Sequence, residues 1–232
     1  MEKPMIHLSR SSISFLQLQN QAIYGAINEA LFNPVEMLPF LGGYGGRFLR
    51  AIRTNDPTRV SYWLVNATSW LMGLGNKVNS AMEAEAWNLY HGVCPDCKSF
   101  PCRGSLDHPC ESMEILGSTN SPWKHSPSSL SEFQKMIGEI YHFHTLKSSA
   151  DLTAEQLFKL GLEVTHFVKT SDFARLISVK KRMSAVLANF CGIATGLGVD
   201  LAAGMDVQFA KGCPTCHQKP CKGCNYPAIE II

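Results

Sequence analysis

This sequence has little charge and no excess of either sign: 21 Lys and Arg stand against 19 Asp and Glu, a net +2, and charged residues make up 17% of the chain. A surface that tracks a nucleic-acid backbone needs a basic stripe, and none is present, so nucleic acid is unsupported as a partner. No apolar run reaches the roughly 20 residues that a bilayer needs. The two nearest, Val60 to Asn76 and Met183 to Val199, are uncharged for 17 residues each but carry Asn, Ser or Thr and several Gly. They read as buried central helices, and no membrane is expected as a partner. No charged segment followed by an apolar stretch opens the chain, so the expected compartment is a reducing cytoplasm. Period-two alternation is also scarce, and the β-branched residues fall at helical spacing. That excludes a sheet-built core and leaves an all-α protein.

Cysteine, by contrast, is abundant. Of the nine, eight fall in two tight clusters, which is the spacing of metal ligands and not of loop staples. The ninth, Cys191, lies inside an apolar helix and reads as core.

The clusters expose a duplication. Shifting the sequence by 119 residues lays Cys94, Pro95, Cys97, Pro101 and Cys102 on Cys213, Pro214, Cys216, Pro220 and Cys221, and brings Gly73 onto Gly192 and Tyr90 onto Phe209. Ile23-Tyr24 echoes Ile140-Tyr141 at a slightly different shift. A repeat of about 90 to 100 residues follows. The expected division is a first unit over 1–110, a connector over 111–128 and a second unit over 129–232. Arg103 to Ser128, rich in Ser, Pro and Gly, supplies the joint.

Each half divides into four helical segments. In the first, helices are expected from about Ser12 to Phe32 and from Leu38 to Arg53. A third begins after Asp56-Pro57, with Asp as N-cap and Pro at the first helical position, and a fourth is capped by Ser80 with Glu83. In the second, Ser129 with Glu132 and Thr153 with Gln156 have capping-box spacing, Asp172 opens a third helix and Asp200 caps a short fourth.

A Cys-x2-Cys pair places two thiolates on one turn, and a second pair closes a tetrahedral site. Cys213, Cys216, Cys221 and Cys224 form a complete set, for which zinc is the expected ion, with disulfides or an iron–sulfur cluster as alternatives. Cys94, Cys97 and Cys102 need a fourth ligand, for which Cys110 and His108 are the candidates. A closed four-thiolate site has no open position, so two zinc ions of structural role are expected. His217 lies within the second knuckle and is expected to face solvent.

Four helices, the third uncharged and the fourth short, followed by an aromatic residue, Gly and CPxCxxxPC, resemble the MazG-like branch of the all-α nucleoside triphosphate pyrophosphohydrolases. The pieces are EFQKMIGEIY at 132–141, VKKRMSAVLANFCGIATGLGVDL at 179–201 and FAKGCPTCHQKPC at 209–221. In the first half they are YWLVNATSWLMGLGN at 62–76 and LYHGVCPDCKSFPC at 89–102. The resemblance implies two MazG-like four-helix repeats packed as a pseudo-dimer. It also implies a magnesium site built from Glu-Glu-x-x-Glu on the second helix and Glu-x-x-Asp on the third, since magnesium requires hard oxygen ligands to activate water on a triphosphate.

That acidic set is nearly absent. In LEVTHF only Glu163 is retained, with Leu162 before it and His166 after it, and the third-helix pair falls on Arg182 and Ala185. In the first half LGGYGGRFLR at 41–50 contains no carboxylate, and the pair falls on Trp63 and Asn66. Magnesium is therefore not expected. Glu163 and His166, three apart on a helix, are the remaining catalytic candidates, and Arg182, within the basic run Lys180 to Arg182, is the candidate for nucleotide phosphate. GGYGG at 42–46 lacks the ending of a phosphate loop and reads as a helix break or a place of close packing. The expected role is a pseudoenzyme acting as a binding or assembly subunit, with a protein partner or a second copy. A nucleotide-binding protein or residual pyrophosphohydrolase, and a zinc-knuckle factor of a nucleic-acid complex, are the alternatives.

Overall fold

The computed structural model describes residues 11–104, 121–142 and 146–224. The described residues form eight helices: α1 Ile13–Leu31, α2 Pro34–Arg53, α3 Pro57–Lys77, α4 Met82–Tyr90, α5 Leu130–Ile140, α6 Leu146–Thr170, α7 Phe173–Gly196 and α8 Leu201–Phe209. The fold is all-α, with an apparent internal duplication into two four-helix units.

Local chemistry accounts for most of the ends. Ser12 and Ser129, at equivalent places, accept the N–H of Phe15 and of Glu132 and open α1 and α5. Asp56, Asp172 and Asp200 cap α3, α7 and α8 in the same way.

Three starts differ from expectation. α2 begins at Pro34, four residues early, because Asn33 and Glu36 form a full capping box around a Pro at the first position, and Pro39 is carried inside the helix. α6 runs straight through Thr153. Its hydroxyl is buried and donates to the carbonyl of Ser149 at 2.7 Å, so it is spent inside the helix and caps nothing. The Ser80–Glu83 box does not form either: the Ser80 hydroxyl is buried without a partner, and Glu83 accepts the N–H of Ser14 at 2.9 Å. An acid of α4 thereby serves the first turn of α1. GGYGG does not break α2. At Gly45 it permits close packing, since a Cβ there would stand 2.7 Å from Leu157 Cδ1 of α6.

The two units share one hydrophobic core. α3 packs on α7 and α2 on α6, while α4 lies against α7 and α8 against α3, so each short helix crosses to the other half. Phe48 of α2 meets Phe190 of α7 edge to face at 5.6 Å, both rings fully buried. Each such side chain contributes about 1.5–3 kcal/mol through burial, which makes the seam between halves as much a core as either half. The apolar face of α7, from Met183 through Phe190 to Ala194, is wholly inside. Among the described residues, no single helix is long and apolar enough to cross a membrane.

Polar clamps repeat the symmetry. Gln17 donates to Ser80 O at 2.6 Å and accepts the N–H of Met82. Gln134 donates to Val199 O at 2.7 Å and accepts the N–H of Leu201. One amide in each half thus fixes where its fourth helix begins.

Candidate metal centres

Each knuckle is a tight loop after a short helix. The N–H of Cys94 donates to Ser99 O at 3.1 Å and that of Lys98 to Cys94 O at 3.0 Å. In the second, Cys213 donates to Gln218 O at 3.1 Å and His217 to Cys213 O at 2.7 Å. Lys98 and His217 both adopt left-handed backbone, at φ 54° and 55°, and both loops contain a cis X-Pro bond, Phe100-Pro101 and Lys219-Pro220. His217 is exposed, as expected. Gly212 is required in its place: its φ is +101°, and a Cβ would lie 2.7 Å from the Gln218 carbonyl oxygen.

These loops gather the thiols. Cys213, Cys216, Cys221 and Cys224 hold their sulfurs within 4.8 Å of one another, as do Cys94, Cys97 and Cys102. A tetrahedral ion with metal–sulfur bonds near 2.3 Å sets its ligands about 3.8 Å apart. The Cys97–Cys102 and Cys216–Cys221 pairs stand at 3.8 and 3.7 Å, and Cys224 is 3.3 Å from both Cys213 and Cys221. Both clusters could therefore hold a metal ion. Cys110 and His108, the two candidates for the fourth ligand of the first, lie outside the described residues.

The electrostatics point the same way. Cys94 is lowered to about 4, first by its hydrogen bond with Cys102, then by the N–H groups of Cys97 and Asp96 and the hydroxyl of Tyr141, against the opposing effect of burial. Burial pushes Cys213 up, but the N–H groups of Cys216 and Thr215, with Cys224 and Tyr24, outweigh it and bring it down to about 6. Burial raises Cys221 against the lowering effect of Cys224 and the N–H groups of Gly223 and Cys224, and Cys224 is raised by burial first and then by the sulfurs of Cys221, Cys213 and Cys216. Four thiolates this close repel one another, and a bound cation offsets that repulsion.

The knuckles do not dock on their own half. The N–H of Cys102 donates to Ile140 O of α5, and that of Cys221 to Ile23 O of α1, each at 2.8 Å. The next residue along completes each contact. Tyr141 Oη donates to Cys94 Sγ at 3.6 Å, and Tyr24 reaches Cys213. Burial raises Tyr141 well above the ordinary range, so its hydroxyl keeps the proton that it donates. Tyr141 meets Tyr90 edge to face at 6.4 Å and Tyr24 meets Phe209 at 6.3 Å. The repeated Ile-Tyr pair is therefore the receptor for the opposite knuckle. Both tyrosines belong to the candidate metal centres, and the echo of that dipeptide was the sequence signal for them.

The other candidates are not brought together. Glu163 pairs with Arg175 at 3.6 Å, while His166 is exposed beside an open groove of about 540 Å³ that includes Leu38, Leu157, Phe158 and Leu162. Arg182 donates to Gln156 at 2.6 Å and Lys180 pairs with Glu85. Among the described residues, the two cysteine sets are the sole groups of three or more His, Cys, Asp or Glu side chains at ligand spacing. Where the resemblance requires acids in the first half, Trp63 packs 5.7 Å from Tyr44 and 4.6 Å from Tyr62 and lies under the Arg47 guanidinium at 4.8 Å. Asn66 there donates to Tyr62 O. Compared with protein-family models, curated proteins and solved structures, the chain finds no match.

Proposed function

We propose that this chain is a catalytically degenerate protein of the MazG-like pyrophosphohydrolase fold, a tandem pseudo-dimer that works as a binding or assembly subunit and is held together by two structural zinc ions. The observation that carries the loss of catalysis is the Trp63 cluster. A hard cation needs converging carboxylate oxygens, and that wall is filled by Tyr44, Tyr62, Trp63, Asn66 and the Arg47 cation. In the other half Glu163 is paired with Arg175, and Arg182 and Ala185 stand where acids are needed. Thiolate ligands of this number and spacing favour zinc, whose four-coordinate structural sites leave no place for substrate. Free thiols at such sites suit a reducing compartment, the cytoplasm.

The assembly role draws support from the groove between α2 and α6. Phe158 and Leu162 on its rim are 68% and 57% exposed, an uncovered apolar surface that a protein partner or a second copy would bury. Incubating the zinc-loaded protein with a panel of nucleoside triphosphates and magnesium is expected to release no pyrophosphate. Turnover that vanishes in Glu163→Ala would overturn this reading. Purification of the native protein under mild conditions is expected to bring down a stoichiometric partner or a defined oligomer.

A further inference from the structure

The first half contains a cleft with a chemistry of its own. It opens between α1, α2 and α3, encloses about 60 Å³ and is closed on one side by the second knuckle, through Cys213, Pro214, Thr215 and Cys224. That room is several times the roughly 10–15 Å³ one water needs. No Asp, Glu, Lys, Arg or His lines it. Asn20, Asn28, Asn66, Ser69 and Thr215 are among its polar groups, and Tyr44 and Trp70 are among its aromatic walls.

Two details show that the cleft is built and not residual. Asn28 is 7% exposed, and its Oδ1 has no hydrogen-bond partner, which costs about 1–3 kcal/mol unless something supplies a donor. Gly73 keeps the space around it: a Cβ there would approach Asn28 Nδ2 to 3.1 Å and Asn20 Oδ1 to 3.3 Å. Trp70, which lines the cleft, is fixed by Phe40 stacked on one ring face at 4.5 Å and 7°. The equivalent cleft of the second half, about 100 Å³ around Ser149, Asn189 and Thr195, also contains His142. It is a different site.

We infer that the first-half cleft binds an uncharged, flat heterocycle or aromatic amide whose edge carries an N–H for Asn28 Oδ1. The lining itself offers a phosphate chain no cation, Arg47 nearby being engaged over the Trp63 ring, and favours a neutral ring, which gains from aromatic walls and amide hydrogen bonds. A free nucleoside and a nicotinamide-type amide share this chemistry. The site extends the binding role proposed above to a small molecule and stands on separate residues from the α2/α6 groove.

The test is calorimetric titration of the zinc-loaded full chain with uridine, adenosine and nicotinamide in parallel, and with uridine triphosphate with and without magnesium. At least one neutral probe is expected to bind saturably, with the triphosphate no tighter than uridine and magnesium without effect. Asn28→Leu is expected to weaken the bound probe at least tenfold while leaving the melting temperature unchanged or raised, since it removes an unsatisfied oxygen. Asn66→Leu, at a half-buried position, gives a second loss if the first variant folds poorly. No saturable binding of any neutral probe, unchanged binding in both variants, or a triphosphate bound tenfold tighter only with magnesium would each overturn the inference. Pyrophosphate release measured separately would strike the loss of catalysis and not this site.

Discussion

At the scale of single residues, the metal centres set the sharpest expectations. Tyr24 and Tyr141 touch candidate ligand sulfurs without being ligands themselves, and such outer partners typically carry a factor of 10–100 in metal affinity. Tyr24→Phe and Tyr141→Phe are each expected to weaken one zinc site by about tenfold or more, read by competition with a chromogenic chelator, while both ions still bind at saturation. Gly212→Ala forces a side chain into left-handed backbone and against the Gln218 carbonyl. A loss of about 1–3 kcal/mol is expected in thermal or denaturant unfolding. Proton balance gives a third check. Cys213 stays ionised down to about pH 6, whereas Cys221 and Cys224 are raised and must shed protons to ligate. Zinc uptake at neutral pH should therefore release protons, measurable by calorimetry in buffers of different ionisation enthalpy. Affinity should fall as pH is lowered toward 6, and below that Cys213 reprotonates as well and release completes.

At the scale of helices, the glycines of α2 separate packing from propensity. Gly45→Ala drives a methyl against Leu157 and is expected to cost about 1–3 kcal/mol, partly recovered when Leu157 is also cut to Ala. Gly42 and Gly46 meet nothing within 4 Å, so Ala at either should stabilise by about 0.5–1 kcal/mol through helix entropy. The same scale shows what could be read in advance. Ser129, Asp172 and Asp200 announce their helices because a cap is local, made by one side chain on the next turn. Thr153 misleads because a hydroxyl that can cap can also bond back to Ser149 inside a helix, and the short-range pattern does not distinguish the two. The cysteine sets are equally legible, being close in sequence. The cleft is not, since Asn28 and Ser69 are brought together by the packing of α1 on α3, and no spacing in the chain records that.

At the scale of the whole molecule, the crossed docking decides what an ion bound in either knuckle would do. Each knuckle reaches the first helix of the other half, so a strong chelator is expected to loosen the seam and not one unit alone. Hydrogen exchange after chelation should rise around Ile23 and Ile140, far along the chain from the cysteines that lost their ion. Faster exchange confined to 94–102 and 213–224 would count against the crossed arrangement as a source of stability. The duplication was visible in the sequence through the repeated knuckle. The exchange of knuckles was not, because a symmetric pattern is the same whether each clasp closes on its own half or on the other.

That exchange also imposes an order on biosynthesis. The carbonyl of Ile23 is made long before the Cys221 N–H that meets it, so α1 must wait for its clasp until residue 221 has emerged. The Cys94 knuckle likewise emerges complete in its three described thiols before α5 exists to receive it. A nascent chain stalled before residue 130 should hold an undocked first knuckle. Two separately expressed fragments divided within 111–128 should each be poorly folded, yet recover the parent's protection from proteolysis when mixed with zinc. Heredity has joined what chemistry treats as a pair, and the connector serves to guarantee that the two halves are delivered one to one.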